Sequence, residues 1–381
     1  MRKRIFGFGT LMFLAFVAHA SVNTQAIPFL TEIGYTSTER GYIMAAYALI
    51  AMVGQFYAGY LADKYQTVKK WVIYSTIAII GFSIVTFIYN DKNFLLHLFM
   101  MANALGFIRI VGNLLETWIL EVDGLYPYFG SIRSFGSLGC ALSSLSSGYL
   151  IAYGGYELMM WVSIAVSVAV IVLTFALEDA SKVSDDTLNF KDVSALFKNK
   201  NYVLLVVVFT LIYIVQNADN ITVTDYILSL GGNETDIGVK WFVQALSELP
   251  LMIFGSYFLF KLRGKKMMMI GGFALGLRYV LYGSTTSIDH VVIFSALQMV
   301  SFPFLLISQK ELILNESPEH LRSSGQMVAV AFTSGFSSII SPILAGYLGE
   351  YFALNLVLIG MGLFMSVPIL LMSSYKLKNI T

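Results

Sequence analysis

Apolar residues fall along this chain in blocks of about twenty or more, separated by short polar breaks. Twelve blocks can be counted: about 5–30, 39–62, 71–90, 94–120, 131–153, 156–177, 201–228, 237–260, 267–286, 290–314, 323–348 and 352–375. Each approaches the ~20 residues that a helix needs to cross the hydrocarbon of a bilayer. Backbone groups in lipid must be paired within their own segment, so the blocks predict helices rather than short strands. The expected fold class is an all-α membrane protein with twelve transmembrane helices in two pseudo-symmetric six-helix bundles.

The two bundles are expected from an internal repeat. The turn after the second block reads Gly59-Tyr60-Leu61-Ala62-Asp63-Lys64-Tyr65-Gln66-Thr67-Val68-Lys69-Lys70. The turn after the eighth reads Gly255-Ser256-Tyr257-Phe258-Leu259-Phe260-Lys261-Leu262-Arg263-Gly264-Lys265-Lys266, 196 residues later. Gly34 and Gly231, and Gly41 and Gly238, repeat at 197; Gly148-Tyr149-Leu150 and Gly346-Tyr347-Leu348 repeat at 198. Two parallel membrane halves are what a carrier needs to rock around a central site. Residues 178–200 form the one long polar stretch between blocks. Within it Phe190, Val193, Ser194 and Phe197 share a helical face, which predicts an amphipathic helix on the membrane surface. The expected organisation is therefore a bundle over 1–177, a cytoplasmic linker over 178–200, and a second bundle over 201–381.

Composition agrees with a membrane chain: 57% of residues are hydrophobic and 12% charged, against about 25% charged in soluble proteins. Arg2-Lys3-Arg4, an apolar run and Ala18-His19-Ala20 resemble a secretory signal with its cleavage site, but the segment is expected to stay as the first span. Placing the N-terminus inside puts 17 of the 24 Lys and Arg residues in inner loops and three (Arg40, Lys92, Lys240) outside. The other four, Arg109, Arg133, Arg278 and Lys310, fall inside blocks. This asymmetry predicts cytoplasmic termini and an even number of spans in the plasma membrane. Cys140 is the single cysteine, so no disulfide framework or thiolate metal cluster is expected. No phosphate loop, metal-ligand spacing or nucleophile motif occurs, so no cofactor, ATP drive or enzymatic activity is expected. Net charge of +1 gives no reason to expect nucleic acid as a partner.

Ionisable side chains inside a bilayer cost about 2.5–3.5 kcal/mol each on insertion scales, so they are candidates for function. Arg109, Gly112, Asn113 and Glu116 lie on one face of the fourth span. Arg133, Gly136, Ser137, Cys140, Ser144 and Ser147 form a small polar face on the fifth, suited to lining water or to close helix contact. Glu116 and Arg133 sit on adjacent spans and are expected to pair, either around substrate or as a structural ion pair; Arg109 would neutralise Glu116. Asn217, Asp219, Asn220 and Asp225 crowd the seventh span, with Asp225 near its outer end. Trp241, Gln244 and Glu248 share a face of the eighth, Arg278 lies in the ninth, and Gln298, Ser301 and Gln309 line the tenth. His19 falls mid-span and is a proton carrier or a packing donor. His97, His290 and His320 are expected to be solvated at span ends.

With these residues in hand, the chain resembles the major facilitator superfamily over essentially its whole length. The turn Gly59 to Lys70 is similar to that family's loop between spans two and three, with Asp63, Lys64 and Lys69 in place and Gln66 standing where the family has glycine. Phe129 to Gly139, Ser247-Glu248-Leu249-Pro250, Leu277-Arg278 and Phe302-Pro303-Phe304 resemble the group of lactose permease and related sugar, nucleoside and phenylpropionate carriers. The resemblance implies substrate contacts by Arg133 and Glu116, with Asn113, Ser137, Cys140, Trp241 and Gln298 nearby. It implies a coupling site at Arg278 and Glu248, with the proton expected on Glu248, Asp219 or Glu116, and gating by Asp63, Lys64 and Lys69. Three positions depart: Cys140 replaces an aromatic residue, and Gln298 and Ser301 replace the coupling histidine and glutamate.

The expected function is a secondary transporter, importing a small polar solute with protons by alternating access. Efflux by antiport and carriage of a carboxylate are the alternatives; a membrane receptor without transport is a further one. The expected partners are a small-molecule substrate, protons and the lipid bilayer, with the chain acting as a monomer.

Overall fold

The protein is described by a computed structural model covering residues 1–180, 196–318 and 321–375. Within these ranges the side chains of Asp63, of 252–257, 259 and 260, and of 323 and 324 are not described. The expected surface helix around Phe190 and Val193, and His320, lie outside the described residues, as does the side chain of the gating candidate Asp63.

All described elements are helical. In chain order they are α1 (Arg2–Glu32), α2 (Ser37–Tyr65), α3 (Lys69–Ile88), α4 (Phe94–Glu121), α5 (Phe129–Ala176), α6 (Lys200–Ser229), α7 (Glu234–Ser284), α8 (Ile288–Ser295), α9 (Gln298–Glu316), α10 (Arg322–Val330), α11 (Ser337–Tyr351), α12 (Leu354–Phe364) and α13 (Ser366–Ser373). Nine helical stretches among the described residues are long and apolar enough to cross a membrane. Two elements are much longer than one crossing and bend inside. Gly154 and Gly155 leave helical geometry within α5, and Gly155 takes φ +69, a region that glycine reaches without a Cβ clash. Arg263 breaks α7 in the same way, with φ 58 and ψ 157.

The chain divides into two compact units, Met1–Asp186 with Gly231–Leu246, and Thr187–Leu230 with Ser247–Thr381. In the first unit α1 lies along α5. The small face of the fifth span serves close contact there: a Cβ on Gly139 would sit 2.5 Å from the Phe13 carbonyl oxygen, and Ser143 Oγ donates to Val17 O at 2.7 Å. Small residues that let helix backbones touch replace the hydrophobic drive that lipid removes. Segment 231–246 joins this unit by the same means, since a Cβ on Gly238 would lie 2.4 Å from Ser144 O. Phe8, Leu11, Met12, Val111, Leu115, Trp118 and Ile132 form the adjoining apolar core. Phe8 meets Trp118 edge to face at 5.3 Å, and Trp118 Nε1 donates to Glu178 O.

The repeat read from sequence has a physical counterpart at the helix ends. Lys69 Nζ, at the start of α3, donates to Phe175 O (2.8 Å) and Leu177 O (2.7 Å) at the end of α5. Lys265 Nζ, just after the α7 bend, donates to Ser373 O (3.1 Å) and Tyr375 O (2.5 Å) at the end of α13. In each unit a lysine thus satisfies carbonyls that a helix C-terminus leaves open, and meets its negative dipole end. The first unit adds a reciprocal cap. Asp179 accepts from Thr67 Oγ1 (2.5 Å) and from the Val68 and Lys69 amides (3.1 Å each), closing the start of α3.

Candidate functional site

Two clusters of polar side chains lie within the apolar helices, one in each unit. In the first, α4 and α5 bring Arg133 Nε to 2.6 Å from Glu116 Oε1. Arg133 Nη1 reaches Ser137 Oγ one turn on, at 3.2 Å, and the guanidinium stacks on the Phe16 ring of α1 at 4.7 Å. Both charged side chains keep about a third of their surface exposed (33% and 35%). Cys140 sits half-buried one turn beyond. The expected pairing of Arg109 with Glu116 is corrected: Arg109 is exposed, and Glu116 is held by Arg133. Asn113 also turns away from this pair. It lines a separate cavity of about 70 Å³ with Gln55, Thr117 and Glu121, between α2 and α4. Residues three apart on a helix differ by about 60° in direction, enough to send Asn113 and Glu116 to different neighbours.

The second cluster is buried. Arg278 and Asp219 have side-chain exposures of 0% and 2%, with Nη2 4.0 Å from Oδ1. That separation is an ionic contact rather than a hydrogen bond. Gln298 stands between Arg278 and Glu248. Its Oε1 accepts from Arg278 Nη1 and from Ser301 Oγ, and its Nε2 donates to Glu248 Oε1 at 2.7 Å. An arginine can only donate, so the amide oxygen must face it, which leaves the amide NH₂ for the carboxylate. The expected direct facing of Glu248 and Arg278 is thus mediated by Gln298, placed by α9. Tyr279 and Tyr282 of α7 wrap the guanidinium at 5.1 and 5.9 Å. Tyr279 OH accepts from Arg278 Nη2 and donates to Val215 O.

A third group of neutral donors and acceptors gathers around a π-helical stretch, Ala331–Phe336. Gln309 Nε2 donates to Thr333 Oγ1 at 2.8 Å, and Asn217 Nδ2 to Ser337 and Ser338 Oγ at 3.0 and 3.1 Å. Such stretches leave backbone carbonyls out of register and recur at functional sites.

Other candidates are placed elsewhere. Trp241, in segment 231–246, lies in the first unit with the Lys240 ammonium 3.6 Å from its ring centre. Lys240, expected in an outer loop, is 1% exposed. Asp225 is buried. His97, expected to be solvated, is fully buried, with Nδ1 facing Tyr35 OH and Asn93 O and Nε2 facing Tyr89 O. His19 is buried and its Nε2 has no hydrogen-bond partner among the described residues. Lys64 is exposed beside the rings of Tyr60 and Tyr65, while Lys69 caps α5. Sequence reasoning missed Asp179, Phe16, Tyr279 and Tyr282. The tyrosines were within reach, since Arg278, Tyr279 and Tyr282 follow helical spacing; Phe16 is on another helix and gave no local signal. Burial pushes the Asp179 carboxyl up, but hydrogen bonds from Thr67 and from the Lys69, Ala180 and Val68 amides outweigh it and hold it below the usual aspartate value.

Residues 9–359 match the MFS_1 like family. The chain belongs to this family. Among its relatives, the uncharacterized transporter YwbF of Bacillus subtilis is 22% identical over 344 residues, covering 88% of this chain and 84% of that one. The putative nucleoside transporter YegT of Escherichia coli is 21% identical over 365 residues, covering 89% and 84%. A crystal structure of the nucleoside transporter NupG, carrying one substitution, superposes with TM-score 0.85 at 16% identity, over 97% of this chain and 99% of that one. At that identity the structural likeness speaks to the fold. This MFS_1 like protein is a multi-pass membrane transporter of the major facilitator type, not an enzyme.

Proposed function

We propose that the chain imports a small neutral solute, a nucleoside or a sugar, by proton-coupled alternating access. The observation that carries this reading is that each cluster arginine already faces a carboxylate: Arg133 faces Glu116, and Arg278 faces Asp219. A carboxylate-bearing substrate would need an arginine whose charge is not already matched, and would meet Glu116 or Asp219 as like charges. Ser137 in the first unit, and Asn217 and Ser338 in the second, are only partly buried and carry the kinds of hydroxyl and amide that a ribose or hexose uses. The names of YegT and NupG favour the nucleoside.

The proton is assigned to Glu248, with Asp219 second. Protonating Glu248 removes its charge and its demand for the Gln298 amide, which loosens the link from Gln298 to Arg278. The proposed topology has twelve spans in bundles over 1–177 and 201–381. It counts α5 and α7 as two spans each, at their bends, and joins α8 with α9, α10 with α11 and α12 with α13. Both termini are then cytoplasmic, in the plasma membrane, and the chain works as a monomer.

Reconstituted liposomes test the reading. Uridine or lactose should enter faster with an acidic exterior, stop with a protonophore, and alkalinise the medium on addition. Uptake of phenylpropionate alone, or of uridine without proton movement, would overturn it. Arg133→Lys should impair uptake without loss of folding, because a point charge replaces a planar fork.

A further inference from the structure

The two repeat turns differ in one respect that bears on ligands. The first sets Asp63 among Lys64, Lys69 and Lys70; the second has Leu259 at the acid's place and four cations, Lys261, Arg263, Lys265 and Lys266. Around the second turn lies a cavity of about 340 Å³. Among the described residues its lining is those four cations with Leu262 and Met269, and no carboxylate. The volume falls in the range of small-ligand pockets. Lys261, Arg263 and Lys266 are exposed. Lys265 is half-buried, and its ammonium is committed to Ser373 O and Tyr375 O, so it fixes the turn to the end of α13. Glu311 packs against Gly264, where its Oε2 occupies the space a Cβ would take; its Oε1 accepts from Asn315. It does not line the cavity.

The backbone holds this charge in place at a cost. Arg263 sits at φ 58 and ψ 157, a conformation in which glycine is at ease and arginine is not. The neighbouring residue is Gly264. A guanidinium is therefore held where an unstrained alternative was one position away. Strain of this kind gathers at ligand clamps. The helix continues on both sides of Arg263, so the bend presents this side chain between two helical stretches. A planar guanidinium and two exposed ammonium groups, with no carboxylate among the described lining residues, match a phosphate. Leu262 and Met269 supply apolar contact at its edge. Cation clusters at the ends of spans lie at the depth of lipid headgroups.

We propose that this pocket binds the headgroup phosphate of an anionic lipid in the leaflet that faces the termini. The proposal does not depend on which solute is carried. The test uses the purified full chain, stripped of lipid, with phosphatidylglycerol, phosphatidylcholine or inorganic phosphate added, and bound adducts read by native mass spectrometry. Wild type should retain phosphatidylglycerol in preference to phosphatidylcholine. The double variant Lys261→Gln with Lys266→Gln should weaken that retention about thirtyfold. Arg263→Gly should also weaken it while melting no lower than wild type, because it relieves the backbone; this separates lost binding from lost folding. Lys64→Gln with Lys70→Gln in the first turn should leave retention unchanged. Equal retention by the Lys261/Lys266 variant overturns the proposal, as does an equal loss in the first-turn control. Should inorganic phosphate bind alone and displace phosphatidylglycerol, the lipid assignment falls and a free phosphate takes its place.

Discussion

A single carboxylate, Asp179, closes the start of α3 with one hydroxyl and two amide hydrogen bonds from that turn. Removing such a cap costs about 1 kcal/mol. The folded value of this carboxyl lies below the ordinary one, so its contribution is complete above the unfolded value of about 4 and fades as pH falls through the folded value. Asp179→Ala should therefore melt below wild type at pH 6 to 7, and the gap should narrow as the melts are repeated toward pH 3. A gap that stays constant with pH would show that the charge is not what matters. The buried pair behaves differently. Asp219→Asn leaves Arg278 without its facing carboxylate in a fully buried setting, and should cost about 3 kcal/mol. Adding Arg278→Gln should recover part of that loss, since no lone charge remains. Urea or thermal melts of both variants would show a double mutant worse than the single if the pair does not act as a unit.

At the scale of elements, the same device closes both halves of the repeat. Lys69 ties the end of α5 to the start of α3, and Lys265 ties the end of α13 to the turn in α7. Replacing either lysine by methionine keeps the apolar stem and removes the charged donor. Each change should lower stability by about 1 kcal/mol. The two sites share no partner, so the double variant should lose the sum. Hydrogen exchange should rise at 173–177 for Lys69→Met and at 371–375 for Lys265→Met. Exchange that rises elsewhere and not at these helix ends would mean that the lysines do not cap them.

For the whole molecule, transport requires that substrate and proton be coupled. The Asp219–Arg278–Gln298–Glu248 chain places two carboxylates on either side of one guanidinium and one amide. Glu248→Gln should abolish accumulation of solute against a gradient and still permit equilibrium exchange. Exchange needs no net deprotonation, whereas accumulation does. Normal accumulation and alkalinisation by that variant would move the proton to Asp219, and then to His19.

The sequence by itself determined helical spans, because block length against bilayer thickness leaves little choice. It determined the repeat, since glycines and basic turns recur at fixed offsets, and it put Glu116 within reach of Arg133 by helical spacing on adjacent spans. It marked the fifth span's small face as either water-lining or a helix contact, and the contact with α1 decides for the second. What it left open is which way a polar residue turns when two neighbours are available. Asn113 turns into the α2–α4 cavity, Gln298 inserts itself between Arg278 and Glu248, and Trp241 stays with the first unit. Only the tertiary structure decided these, because each depends on a partner far along the chain. Buried polar groups take whatever donor or acceptor packing brings near, and that choice leaves no periodic trace in the sequence.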